Sequence, residues 1–425
     1  MAITSGEPIA VATSTNNLHL KSLNLSVLLV ALPLSLLPFG LPFIAHEMGA
    51  SALAIGGLFS VYALIIAVMQ PFVGRGLDRF GRRPFLIAGL LAYALSNAVF
   101  GLASGLTGLY LAQLVQGVGS GLLWVAVMST VSNLAPAANR GREYGRVEEM
   151  DFRGGLIGTL VGLALFRLLS RADTVGGLTL IGGWRVLLLG FTAAALVAAG
   201  IVWRRVPETL HLSSDRSAKS HVALVESKID INKKWRLPNQ LRILMGIVML
   251  SASAGALLSP ILMKYLSKNL SADLFTLALA YLPAMFAGAI LPSYLGGLSD
   301  RFGRRPPMIV ALFVGGLAAI AVLFVHSLWP LALLWVVEEM AFAAAVPAEE
   351  ALVVDVSDSE HQGTALGYYT AAAGLGGVIG PLMGGWIYDH FAAVGAFGTS
   401  ALLMALSAVL ILLFVREPLQ AQKNH

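Results

Sequence analysis

Asp78-Arg-Phe-Gly-Arg-Arg-Pro84 recurs residue for residue at Asp300-Arg-Phe-Gly-Arg-Arg-Pro306, 222 positions further along a chain of 425. Only 12% of the residues are charged, so a charged seven-residue identity marks a duplication rather than a coincidence. Each copy sits between two long apolar runs and follows a glycine four residues upstream, Gly74 and Gly296. The same offset pairs Gly141 with Gly363, Gly145 with Gly367, Gly154 with Gly376, Gly158 with Gly380 and Gly162 with Gly384. The repeat unit is therefore half the chain, and it contains one charged turn after its second apolar segment.

The apolar runs set the environment. The composition is 57% hydrophobic with a mean hydropathy of +0.79, beyond what a soluble domain of average usage carries. Runs of about 20 apolar residues match a ~30 Å hydrocarbon core. Spans are expected near 24–45, 53–73, 85–103, 107–131, 147–169 and 184–205. Six more follow near 241–265, 274–295, 307–326, 331–354, 365–388 and 392–415. The fold class is thus an all-α membrane protein of twelve transmembrane helices in two pseudo-symmetric six-helix bundles. Domain limits follow: a tail 1–23, a bundle 24–205, a linker 206–240, a bundle 241–415 and a tail 416–425. Pro33, Pro38 and Pro42 bend the first span, and such helices line cavities.

Charge gives orientation. Of 28 lysines and arginines, Arg167, Arg171, Arg185, Lys264 and Lys268 fall on one side and Arg153 within a span. The rest lie in the tails, linker and even-to-odd loops, which places those and both termini in the cytoplasm. The expected location is the cell inner (plasma) membrane, multi-pass. The absence of cysteine excludes disulfides and thiolate chemistry. No phosphate loop, metal-ligand spacing or nucleophile elbow occurs, so an enzyme, a metal site and a cofactor are not expected. The net charge of +5 clusters beside membrane segments and does not indicate nucleic acid.

Carboxylates inside spans carry the chemistry. Glu148, Glu149 and Asp151 fall in the fifth span, and Glu338, Glu339, Glu349 and Glu350 in the tenth. A charge near the middle of a span costs at least ~2.5–3.5 kcal/mol, so such residues face a cavity or a partner and mark ion pathways. Glu149 and Arg153 are spaced i, i+4, acid first, as an ion pair prefers. Glu148 and Asp151 share a face and resist joint ionisation, so one of them can load and release a proton. Glu338 and Glu349 return to one face about 16 Å apart along a helix, Glu339 and Glu350 form a parallel stripe, and a kink is expected at Pro347. A second reading stays open: Glu148 and Glu149 as interfacial residues at a helix start, and Glu349 and Glu350 as partners of Arg142 or Arg146 in a gate. Gln113, Gln116, Trp124 and Trp335 are candidates for lining a substrate cavity; Tyr62, Tyr93, Phe342 and Tyr369 could join them or simply pack.

The six-plus-six pattern, the central linker and Gly-x-x-x-Asp-Arg-x-Gly-Arg-Arg in both charged turns resemble the major facilitator superfamily. Within it the chain resembles most the twelve-helix drug–proton antiporters, through Gly376-Gly-Val-Ile-Gly380-Pro381-Leu-Met-Gly384-Gly385. The resemblance implies alternating access and proton-coupled efflux of a small amphipathic compound. It also implies a cytoplasmic gate built from Gly74, Asp78, Arg79, Arg82, Asp300, Arg301, Arg304, Glu349 and Glu350. The implied proton-coupling residues are Glu148, Glu149, Asp151, Arg153, Glu338 and Glu339. Partners would be a small-molecule substrate, protons and the lipid bilayer, with the chain acting as a monomer. Two departures are evident: the fifth span has Thr159 for the motif's proline and Leu163 for its last glycine, and Gln113 stands where that group usually has an arginine. Uptake or symport of an organic solute is therefore an alternative, as is a receptor or assembly factor on the same scaffold.

Overall fold

The computed structural model describes residues 7–34, 36–135, 140–171, 180–209, 238–270, 274–291, 302–357 and 362–416. These residues form α1 (Glu7–Ala31), α2 (Leu37–Glu47), α3 (Ala52–Phe80), α4 (Arg83–Leu102), α5 (Leu106–Leu134), α6 (Arg140–Arg171) and α7 (Leu180–Arg205). Then come α8 (Asn239–Leu257), α9 (Leu262–Leu270), α10 (Leu274–Ile290), α11 (Arg305–Val322), α12 (Leu328–Val356) and α13 (Gln362–Phe414). Eight stretches of these residues are long and apolar enough to cross a bilayer. The fold is the twelve-span helical architecture expected, with particular spans broken, charged or fused.

The departures from twelve even rods have local causes. The first span is two helices: Pro33 has no N–H to donate, its carbonyl accepts from Leu36 and Leu37 instead, and the chain restarts at α2. The seventh divides at Ser259-Pro260 into α8 and α9. The eleventh and twelfth run together as α13, with Ala392 (φ 55°, ψ −163°) the single non-helical residue between them. α12 is helical straight through Pro347.

The chain divides into two compact units, Met1–Leu37 with Ile65–Lys234, and Pro38–Leu64 with Trp235–His425. α2 and the first half of α3 thus group with the second set of helices. The first half of α3 meets α13 through Ala52, Leu53, Gly56 and Ser60, as described below. In the first unit, α4 packs on α5 and α7, and α1 on α6 and α7. Leu23, Val27, Leu90, Tyr93, Val127, Ala198 and Val202 are all buried there in one apolar cluster. In the second, α8 packs along α13, and α11 lies against α12 and α13 around Leu244, Val248, Leu312, Leu352, Met404 and Ala408. On the other helix faces large apolar side chains stand exposed, such as Leu95, Leu102, Leu317, Leu402 and Leu413. Lipid is the solvent that removes the cost of that exposure.

Candidate functional site

The two charged turns close with the same backbone device. Gly81 and Gly303 adopt φ of 89° and 92°, a left-handed conformation that glycine tolerates and side-chain-bearing residues resist. Each then starts a helix with a proline in its first turn, Pro84 in α4 and Pro306 in α11. The last arginine of each copy reaches the carbonyl end of another helix in its own unit. Arg83 Nη2 donates to the Trp203 carbonyl of α7, and Arg305 Nη2 to the Ile411 and Leu412 carbonyls of α13, at 3.2 and 2.7 Å. A cation at a helix C-terminus is favourable by ~0.3–1 kcal/mol.

The middle arginines differ. Arg82 is 5% exposed, and its Nε donates to Ser129 Oγ at 3.2 Å. Arg304 Nε lies 3.3 Å from Asp355 Oδ2. Arg79 is exposed and its guanidinium rests over the Phe80 ring. Of the other gate candidates, Gly74 and Asp78 fall within α3, while Gly296, Asp300 and Arg301 lie outside the described residues. Glu208, which the sequence did not single out, occupies the first turn of α4: its carboxylate accepts from the Arg82 and Arg83 backbone N–H groups at 2.9 and 3.1 Å, and from Thr209 N–H at 2.8 Å.

The glycine series has a direct steric reason. A Cβ on Gly154 would collide with the Leu28 carbonyl and one on Gly158 with that of Leu32, so α6 lies backbone to backbone along the first span. In the second unit Gly376, Gly380 and Gly384 make the same approach to Met249, Ser253 and Leu257 of α8. Small residues permit such contacts between helices in lipid. Gly385 and Pro381 belong to a different face. A Cβ on Gly385 would meet Ala52 and Leu53, and one on Gly56 the Pro381 carbonyl. The antiporter-like motif is thus a ridge with two working sides.

The carboxylates separate into an exposed and an enclosed group. Glu148 and Glu149 are exposed on α6, and Glu149 holds Arg153 as the spacing predicted. Asp151 is half-buried beside them, with Oδ1 lacking a hydrogen-bond partner. Arg146 is bound to Glu143 at 2.5 Å. On α12, Glu338 and Glu339 are half-buried, and Glu339 lies over Gly288 of α10, where a Cβ would meet its carboxylate. One turn before them Trp335, 5% exposed, meets the Tyr281 ring edge-on at 5.2 Å between centroids. Glu349 accepts a hydrogen bond from the Tyr369 hydroxyl of α13 at 3.1 Å, and Glu350 is exposed. Glycine at 288 and a phenol at 369 make room and a donor for acids on α12.

Gln113 and Gln116 of α5 are 4% and 3% exposed, and Gln113 Oε1 has no partner. They are enclosed among helices rather than open to a described cavity. Thr159 is likewise buried, its hydroxyl oxygen without a partner. Trp124 does line a cavity of about 630 Å³, with Val125, Met128, Ser129, Ser132, Asn133 and Arg82. Its wall is apolar toward Trp124 and polar toward Arg82. No cluster of potential metal ligands occurs among the described residues.

A duplicated helical carrier, with charged turns at the helix junctions and carboxylates along one span, defines a membrane transporter rather than an enzyme. The model of the Major Facilitator Superfamily matches residues 23–248 and 243–425, and the chain belongs to that family. It is 24% identical to multidrug resistance protein 2 of Bacillus subtilis (strain 168) over 354 residues, 82% of this chain and 83% of that protein. It is 27% identical to the inner membrane transport protein YajR of Escherichia coli (strain K12), over 84% of this chain and 74% of YajR. Multidrug resistance protein MdtG of Salmonella typhimurium (strain LT2) is 27% identical, over 88% and 89%. The fold matches that of a bacterial homolog of the human lysosomal transporter Spinster, solved inward-facing and unoccupied. The TM-score is 0.73 at 18% identity, over 97% of this chain and 96% of that one.

Proposed function

We propose that the protein is a secondary active transporter of the inner (plasma) membrane that exports a small amphipathic organic compound in exchange for protons, by alternating access. The observation that carries the proposal is the set of acids on α12. Glu338 and Glu339 sit half-buried beside the Trp335–Tyr281 pair, and Glu349 is held by Tyr369. A carboxyl enclosed at membrane depth is favoured in its neutral form unless a charge arrives beside it, which lets proton loading alternate with substrate binding. The multidrug resistance names of two of the relatives support export, and YajR's name supports an inner-membrane location. The expected six-helix bundles, 24–205 and 241–415, are the two halves of the transport cycle in this reading, and both termini are cytoplasmic.

Uptake or symport is the second reading, and buried Gln113 and Thr159 favour it, since they stand where an arginine and a proline belong in antiporters of this kind. Reconstituted protein separates the two. Under export by exchange, an amphipathic substrate supplied on one side drives protons the opposite way across the vesicle membrane. Glu338→Gln then abolishes proton movement. Substrate flux accompanied by protons in the same direction establishes symport, and flux without any proton movement refutes coupling.

A further inference from the structure

We propose that Asp389 is a latch that holds the outer end of the carrier shut by capping α3, and that this bond breaks and reforms in each transport cycle. The inference rests on the alternating-access reading and on the orientation given by the basic residues.

The first N–H groups of a helix have no partner within the helix and attract a negative charge. In α3 these donors are satisfied in two ways. Ser51 Oγ accepts from the Ala54 N–H at 3.2 Å, an ordinary local cap. The Ala52 and Leu53 N–H groups instead donate to the two oxygens of Asp389, at 3.1 and 2.9 Å, from a residue more than 330 positions away. Below this cap the helices touch through their smallest residues. Gly385 lies against Ala52, the Pro381 carbonyl against Gly56, and Ser60 Oγ donates to the Val378 carbonyl at 2.6 Å.

Contacts of this kind bring backbones together without interlocked long side chains, so the helices can part and meet again without side chains having to unthread. The cap supplies directional, charge-assisted bonding that is complete when the helices meet and absent when they part. That combination suits a closure that must be firm and reversible. The duplication sharpens the point. Under the 222-residue offset Asp389 corresponds to Arg167 and Ala52 to Leu274. A cation at the matching place cannot accept from helix N–H groups, so the latch was built on one side only.

The chain contains no cysteine, so a single reporter thiol can be introduced. Ser60, 4% exposed within the contact, becomes Ser60→Cys, and its reaction with a membrane-impermeant maleimide is followed in right-side-out and inside-out vesicles. Asp389→Asn is expected to raise the labelling rate in right-side-out vesicles roughly 5- to 30-fold, the factor that corresponds to one or two kcal/mol. Asp389→Glu, which keeps the charge, is expected to restore most of the protection. Ser407→Cys, buried elsewhere in the same unit, should label at the same rate with either residue at 389. An unchanged rate at Ser60→Cys overturns the latch, and so does a parallel rise at Ser407→Cys, which would mean general loosening. A rise confined to inside-out vesicles overturns its outer placement. No substrate or proton gradient enters the measurement, so absence of drug–proton exchange in the flux assay would leave the latch standing.

Discussion

Gly81→Ala tests whether the charged turn and the Glu208 cap form one unit. Gly81 has φ of 89°, and a Cβ built there would run into the Glu208 carboxylate. An L-residue in the left-handed region costs ~1–2 kcal/mol. Displacing Glu208 from the Arg82 and Arg83 N–H groups adds the loss of an acid at a helix N-terminus, up to ~2 kcal/mol in a partly buried setting. Glu208→Ala alone should therefore cost about 1–2 kcal/mol and Gly81→Ala alone about 2–4 kcal/mol. The double variant should cost no more than Gly81→Ala, because the cap is already lost there; the coupling is then about 1–2 kcal/mol. The assay is denaturant or thermal unfolding of purified protein in detergent, followed by tryptophan fluorescence. Additive losses would show that alanine at 81 leaves the cap in place, and the steric reasoning would fail.

Two further outcomes follow from the contacts. Gly158→Leu forces side-chain atoms onto the Leu32 carbonyl and should cost more than the 1–3 kcal/mol typical of overpacking; gel filtration should show loss of monodisperse protein, whereas Gly190→Leu, with nothing within 4 Å of its Cβ, should behave as wild type. Arg83→Ala removes the guanidinium from the α7 carbonyl end and should lower stability by about 0.5–1.5 kcal/mol in the same unfolding assay; recovery of stability in Arg83→Lys would show that charge suffices, and a loss that persists there would show that the planar guanidinium matters.

Most of the architecture was legible because two signals agreed: a repeated heptapeptide, and apolar runs of bilayer length with glycines at a constant offset. The glycines also had a readable purpose, and Gly154, Gly158, Gly376, Gly380 and Gly384 all mark backbone approach. Gly74 and Gly296, upstream of the heptapeptide, belong to the repeated pattern, whereas Gly81 and Gly303 within it have the positive φ that shapes the turn. The acids on α12 were visible as charges in an apolar run, yet their companions were not. Nothing in the order of residues joins Gly288 to Glu339 or singles out Tyr369 as the hydroxyl facing Glu349. Glu208 and Asp389 escaped notice for a related reason. Each lies at the end of an apolar run, where an acid is ordinary, and its role depends on a helix start more than 100 positions away. Gln113 stood out because the drug–proton antiporters usually have an arginine there, and sequence does not tell a cavity-lining amide from a buried one.

The join at Ala392 bears on how the last two spans can move. The chain passes from one half of α13 to the other through a single non-helical residue. One residue leaves almost no slack, so a tilt of either half at this end is handed on to the other. Asp389 lies three residues before the join, so the displacement of its carboxylate is tied to that of both spans.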